Sequence, residues 1–314
     1  VGAGRRPRGL GCGQVVVDRR SAVRHKRLAS PQRKAIVEAI WPVSHPYHRM
    51  TIGSHQDLEA ATLDDVRSFF STWYVPNNAT LVVSGDFAEE QARAWIQQYF
   101  GPIPGGPQPS PITEASAELP EAVTVELQDD VQLPRLHWAW QSPALFAPGD
   151  AELDILSSLL TAGKASRLYR KLVYEERVAK DVQAVQYSAG LGSSYRIIAT
   201  AAPGRSIEEV AVALEEGLAA FLAEGPTERE LERAKNNWRS SFYLRMEKVA
   251  GKAGMLQSYN HHTGNADYVA TDLQRYLDVS SEGVIEWAKR ILNPAHRVTV
   301  IVQPRAAVEL GGAQ

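Results

Sequence analysis

Two stretches of this chain, 218 residues apart, carry the same local pattern, and that repetition constrains the fold more than any other feature. Leu63–Ser84 reads as a helix, then Tyr74-Val75-Pro76-Asn77, then Thr80-Leu81-Val82-Val83. Val279–Gln303 reads as a helix, then Leu292-Asn293-Pro294-Ala295, then Val298-Thr299-Val300-Ile301-Val302. A helix halted by proline, with a β-branched strand four residues later, is only moderately specific alone. Its recurrence on either side of a proline-rich stretch points to a duplicated domain.

The second copy begins near residue 123, so a complete first copy would begin about 95 residues before Val1. The predicted fold class is therefore α+β, with two homologous domains. Each is an antiparallel-rich sheet packed with helices, and the first is N-terminally incomplete. The expected organisation is an incomplete first domain over 1–101, within which 1–34 fits poorly, a linker over 102–122, a complete second domain over 123–305, and a tail over 306–314. A half-domain would leave strand edges unpaired and apolar helix faces uncovered, so either its missing part was cut away or another chain covers it.

Local signals support these boundaries. Thr62 followed by Asp65 is a helix start, Val66, Phe69, Phe70 and Trp73 form an apolar stripe, and Pro76 ends the helix. Ala79–Ser84 predicts a buried strand closed by Gly85-Asp86, followed by a helix over 88–100. Five prolines between 102 and 111 mark the linker. Beyond it, 123–127 and 136–141 alternate like strands, 149–176 is helical with an interruption near Gly163, and 180–203 predicts two strands turning at Gly190-Leu191-Gly192. Ser206 with Glu209 and Thr227 with Glu230 are capping boxes, the second opening one long helix to about residue 262. Helices near 266–277 and 281–291 precede a last strand, 298–302.

Composition narrows the class. At 314 residues, 44% apolar and 22% charged, the chain is long enough for two domains and is not a disordered polymer. No apolar run approaches the roughly 20 residues of a membrane span. A net charge of −2 excludes holding nucleic acid by bulk electrostatics. Ten of the 34 Lys and Arg, but one of the 36 acids (Asp18), fall in residues 1–34, leaving an acidic body that mildly favours basic peptides. That basic segment has no interleaved aromatics, against a nucleic-acid arm, and no apolar core, against a signal peptide. With the single Cys12 there is no intramolecular disulfide and no cysteine-based zinc site, and the compartment stays open between periplasm and cytoplasm.

The residues that could carry chemistry form no self-sufficient active site. Of eight histidines, His45 and His48 have an H-x-x-H spacing, but Pro46 argues for a turn rather than a helical ligand pair. His261 and His262 are adjacent and are expected to diverge on a helix. No H-E-x-x-H, H-x-x-E-H, phosphate loop or G-x-S-x-G elbow is present, and Gly190-Leu191-Gly192 reads as a hairpin.

Taken as a set, several runs resemble the insulinase/pitrilysin family of zinc metallopeptidases, the inverzincins. They include His45-Pro46-Tyr47-His48, Ile52-Gly53-Ser54, Asp57–Thr62 and Tyr74–Phe87 in the first unit. In the second they include Ser166-Arg167-Leu168-Tyr169, Pro226–Leu231, Ala234-Lys235 and Leu292-Asn293-Pro294. The resemblance covers about residues 35–304 and implies two homologous α+β halves joined by a linker.

The resemblance also implies zinc held by an H-x-x-E-H motif and a later Glu, with the motif's own Glu as general base for peptide hydrolysis. Here the motif is absent, and Val17-Asp18-Arg19-Arg20 stands where a ligand Glu is expected, so Asp18 is not assigned as a ligand. No catalytic or metal residue is assigned to this chain. Zinc is expected for the full-length family member and none for this chain alone, which is expected to be inactive. Many members place an Arg and a Tyr seven residues apart in the second domain to hold substrate, and Val173 and Lys180 stand at those positions. In two-subunit members the zinc subunit lacks that pair, which implies a homologous peptidase subunit or a second copy as partner and peptides or unfolded segments as substrate. The alternative is a non-catalytic binding or assembly subunit.

Overall fold

The computed structural model describes residues 31–51, 53–112 and 119–305. The basic segment over 1–30, with Asp18, and the tail over 306–314 lie outside the described residues.

The sheet forms from five strands: β1 (Val123–Asp129), β2 (Arg135–Ser142), β3 (Ala179–Tyr187), β4 (Ser193–Ala201) and β5 (Val298–Pro304). Their order is β1-β5-β2-β4-β3. β1 pairs with β5 in parallel and the other pairs are antiparallel. The last strand in sequence thus fills the gap between the first two, so the sheet closes only when the C-terminal end of this unit is in place. Strand alternation sends Leu136, Trp138 and Trp140 of β2, with Tyr195, Ile197 and Ala199 of β4, to one face. Trp140 is 1% exposed, and its indole N–H donates to Asn293 O at 3.0 Å.

Helices α5 (Asp150–Thr161), α7 (Ile207–Glu224) and α11 (Ser281–Ile291) cover that face. α7 starts at the Ser206–Glu209 capping box and turns Val210, Leu214 and Phe221 inward at helical spacing. After α5 the chain makes the short α6 (Arg167–Tyr169), which runs directly into a π-helical turn over Arg170–Glu175. α10 (Val269–Leu277) precedes α11.

The one long helix expected to reach residue 262 is two. α8 (Glu228–Glu247) and α9 (Val249–Thr263) meet at Lys248, whose backbone is extended (φ −88°, ψ 135°). The corner depends on Gly251, where a Cβ would lie 1.8 Å from Arg245 O. Glu247, Lys248 and Val249 include no proline or glycine, so the sequence at the break itself does not reveal it.

The opposite face of the sheet is partly covered by α1 (Pro31–Ile40). Ile36, Ile40 and Trp41 pack with Ala139, Val298 and Val300, and Gln141 Nε2 donates to Ile40 O at 2.7 Å. Residues grouped by sequence with the first unit thus lie on the sheet of the second.

Elsewhere in the first unit, α3 (Leu63–Trp73) and α4 (Glu89–Phe100) form where expected, α3 with its Thr62–Asp65 capping box complete, and a short α2 (His55–Ala60) that the sequence reading lacked precedes them. Val66, Phe69, Phe70 and Trp73 are 45–51% exposed. The strand expected at 79–84 does not form. A strand's backbone groups need a neighbouring strand, and none of the five described strands pairs with it. Asn77 clamps the following segment, its amide nitrogen donating to Gly106 O and its carbonyl oxygen accepting from Gly106 N, at 3.0 and 2.9 Å.

Candidate functional site

The two second-unit runs that most mark this chain meet at a single ion pair. Arg167, the second residue of Ser166-Arg167-Leu168-Tyr169, reaches Glu230 of the Thr227–Glu230 capping box with Nε and Nη2, at 2.7 and 2.9 Å. It also donates to Glu224 Oε2 at 2.7 Å. Glu230 accepts from Thr227 N at 2.9 Å, so one carboxylate both caps α8 and fastens α6. Partial burial pushes Glu230 upward, but the Arg167 guanidinium and the Thr227 backbone and hydroxyl outweigh it and hold its pKa at about 2. Leu168 is fully buried beneath α7, where a Cβ on Gly217 would come within 2.7 Å of it.

This anchor positions the π-turn. Glu176 N donates to Lys171 O at 2.9 Å, Val178 N donates to Leu172 O at 3.0 Å, and Arg177 takes a left-handed φ of 54° to redirect the chain into β3. A π-turn followed by a left-handed non-glycine residue is backbone held by its surroundings, an arrangement that clusters at binding sites. Val173 lies in the turn, half-buried against the main core, and Lys180 is exposed near the start of β3. A branched hydrocarbon and a flexible ammonium thus stand where the resemblance implies a guanidinium and a phenol.

The histidine pairs hold no metal-binding geometry. His45 is buried and stacks on Trp41 at 4.3 Å, and its Nδ1 accepts from Tyr47 N at 3.0 Å. His48 Nδ1 meets Trp41 O at 2.7 Å. The H-x-x-H spacing is a turn, as its proline implies. The rings of His261 and His262 do not diverge as expected: at the end of α9 they meet edge to face, 4.7 Å apart, because the last helical turn packs His262 near Phe146. Gly190-Leu191-Gly192 is the β3–β4 hairpin, where Leu191 N donates to the Tyr47 hydroxyl at 3.1 Å. Zinc does not fit the described residues, since no three His, Cys, Asp or Glu side chains gather into a metal-holding group among them.

A polar cluster that the sequence analysis missed lies where α5 and α10 meet α9. Asp150, fully buried, accepts from Arg275 Nη2 at 3.1 Å and from Ser188 Oγ at 2.7 Å. Asp272 accepts from Arg275 Nη1 at 2.9 Å and from the Tyr259 hydroxyl at 2.8 Å. Asp154 accepts from the Tyr276 hydroxyl, and burial raises its pKa to about 6. These partners are scattered through the chain and share no local motif.

A helix-backed, antiparallel-rich sheet with a π-turn feeding its edge strand is an α+β unit, the fold class the resemblance implied. Residues 60–238 match the family described as Peptidase M16 inactive domain, and the chain belongs to it. The zinc protease PqqE of Helicobacter pylori is 26% identical over 272 residues, covering 83% of this chain and 60% of that protein. The crystal structure of a protease from Helicobacter pylori superposes with a TM-score of 0.82 at 24% identity, covering 96% of this chain and 73% of that one. That of a peptidase M16 inactive domain from Pseudomonas fluorescens gives 0.81 at 17% identity, covering 97% and 73%. At these identities the two structures establish the fold. The chain spans about 60% of the length of the curated relative it matches. Among the described residues, no helix is long and apolar enough to cross a membrane.

Proposed function

We propose that this chain forms a non-catalytic part of a zinc endopeptidase assembly, enclosing peptide or unfolded substrate while the metal-holding residues come from elsewhere in that assembly. What supports the proposal is family membership together with described residues that gather no metal-holding group and, on the resemblance, Val173 and Lys180 in place of an Arg/Tyr pair. Among the described residues no two imidazoles and a carboxylate gather around one point, so these residues have no means of lowering the pKa of a water toward 7. Val173 cannot hydrogen-bond a substrate carbonyl, and Lys180 offers a mobile point charge in place of a planar phenol. The companion expected is a homologous subunit or another copy of this chain.

A second reading is a purely structural subunit. The broad exposure of Phe69, Phe70, Trp73 and Trp95 supports it, since apolar groups at this density favour being covered by protein.

The test is peptidase activity of the purified chain, alone with zinc and mixed with a homologue carrying H-x-x-E-H. The chain alone is expected to cleave no fluorogenic peptide, and the mixture is expected to cleave faster than the homologue alone. Chelator-sensitive cleavage by the chain alone overturns the proposal. An unchanged rate in a mixture that co-elutes favours the purely structural reading.

A further inference from the structure

Between α1 and the uncovered part of the sheet lies a cavity of ≈ 710 Å³ that none of the preceding chemistry uses. Three arginines line it, Arg33, Arg49 and Arg196, and no Asp or Glu does so among the described residues. The strand register explains its floor: His137 of β2 faces Ile198 of β4, and Arg196 follows two residues earlier on the same side.

Arg196 is the unusual member. Its Nε donates to Ser194 Oγ at 3.0 Å, and its guanidinium carbon stands 4.5 Å from the Tyr187 ring centroid. Burial lowers its pKa to about 10, and nearby Arg33 adds repulsion, yet it remains a cation at neutral pH. With no carboxylate partner among the described residues, a largely buried cation is costly. Beside it His137 is 5% exposed, and neither ring nitrogen has a hydrogen-bond partner among the described residues. Burial, with Arg135 and Arg196 nearby, lowers His137 to a pKa of about 4. Its neutral ring therefore carries one N–H without an acceptor, in a setting where buried donors are nearly always paired. The rest of the wall mixes apolar and aromatic side chains, among them Ile36, Trp41 and Ile198, with the polar Gln32, Thr51 and Ser193.

We propose that this cavity binds a carboxylate carried on an apolar body, such as the C-terminus of a peptide ending in a hydrophobic residue or a free aromatic acid. The Nη groups of Arg196, which have no hydrogen-bond acceptor among the described residues, match the two oxygens of a carboxylate, the ring N–H of His137 adds a donor, and Trp41 and Ile198 receive the apolar part. The volume suits a ligand of that size. The site stands independently of peptide hydrolysis, because none of its residues belongs to the π-turn or to the positions of Val173 and Lys180.

Calorimetric titration of the whole chain tests the site with three probes: a short peptide ending in phenylalanine, the same peptide C-terminally amidated, and 3-phenylpropionate. At least one of the two carboxylates is expected to bind, and the amide to bind about tenfold more weakly than its parent acid or not at all. Binding of phenylpropionate without the peptide identifies a free acid as the ligand and keeps the site. Arg196→Gln is expected to weaken carboxylate binding about tenfold, and the more exposed Arg49→Gln a fewfold, with circular dichroism unchanged. The His137 ring resonances are expected to titrate at higher pH with ligand bound than without it. Saturable binding of neither acid, equal binding of acid and amide peptides, or full binding by a folded Arg196→Gln protein overturns the proposal.

Discussion

Tyr276 donates its hydroxyl hydrogen to Asp154 Oδ2 at 2.6 Å, joining α10 to α5 across 122 residues of sequence. Burial raises Asp154 to a pKa of about 6, although the tyrosine hydrogen bond and Arg275 pull the other way. The folded state therefore holds its proton more tightly than the unfolded chain, whose carboxyl titrates near 3.8. The stability this confers is complete below about pH 4 and is lost as pH rises through about 6. Asp154→Asn, neutral throughout, should gain about 2 kcal/mol relative to the parent between pH 4 and pH 8. Urea unfolding at the two pH values measures it, and a pH-independent difference would contradict the assignment.

Glu230 behaves in the opposite sense. Held at about pH 2 by Arg167 and Thr227 against an ordinary 4.5, it contributes stability above about pH 4.5 that is lost as pH falls toward 2. Glu230→Gln should cost about 2 kcal/mol at pH 7, with the penalty shrinking below pH 4. Thermal unfolding of parent and variant across that range checks both the size and the sign.

Gly251→Ala should damage the α8–α9 corner, because the added methyl meets the Arg245 carbonyl at 1.8 Å and backbone cannot move aside cheaply. A loss of about 2 kcal/mol or more is expected, with hydrogen exchange accelerating first in residues 245–255. Gly254→Ala, where nothing lies within 4 Å of the new methyl, is the matched control and should be neutral or slightly stabilising.

Arg275→Met should cost about 3 kcal/mol, because it strands the buried Asp150 carboxylate and removes a partner from Asp272. Adding Asp150→Asn should recover part of that loss, and the double-mutant cycle reads the coupling directly. Strict additivity would mean that the two side chains do not interact in solution.

Much of the fold is legible where partners lie within a few residues. Thr62 with Asp65, Ser206 with Glu209, and Thr227 with Glu230 each form a complete capping box, and each is visible as a spacing of three. The β3–β4 hairpin and the closing strand are equally local, being alternation bounded by glycine or proline. The anchoring role of Arg167 is half legible: its run marks it, but its pairing with Glu230 spans 63 residues and required the fold.

By itself the sequence determined the repeated local pattern, most elements of the second unit and the metallopeptidase family. Those are properties of neighbouring residues or of motifs. Tertiary structure alone decided that β5 inserts between β1 and β2, that the helix breaks at Lys248, and that Ala79–Ser84 stays irregular without a strand beside it. It likewise decided that α1 lies on the sheet, leaving Arg196 and His137 around one cavity. The reason is common to all of these: strand pairing, helix packing and the desolvation of charge depend on which distant groups arrive, and a linear pattern records only what each segment offers.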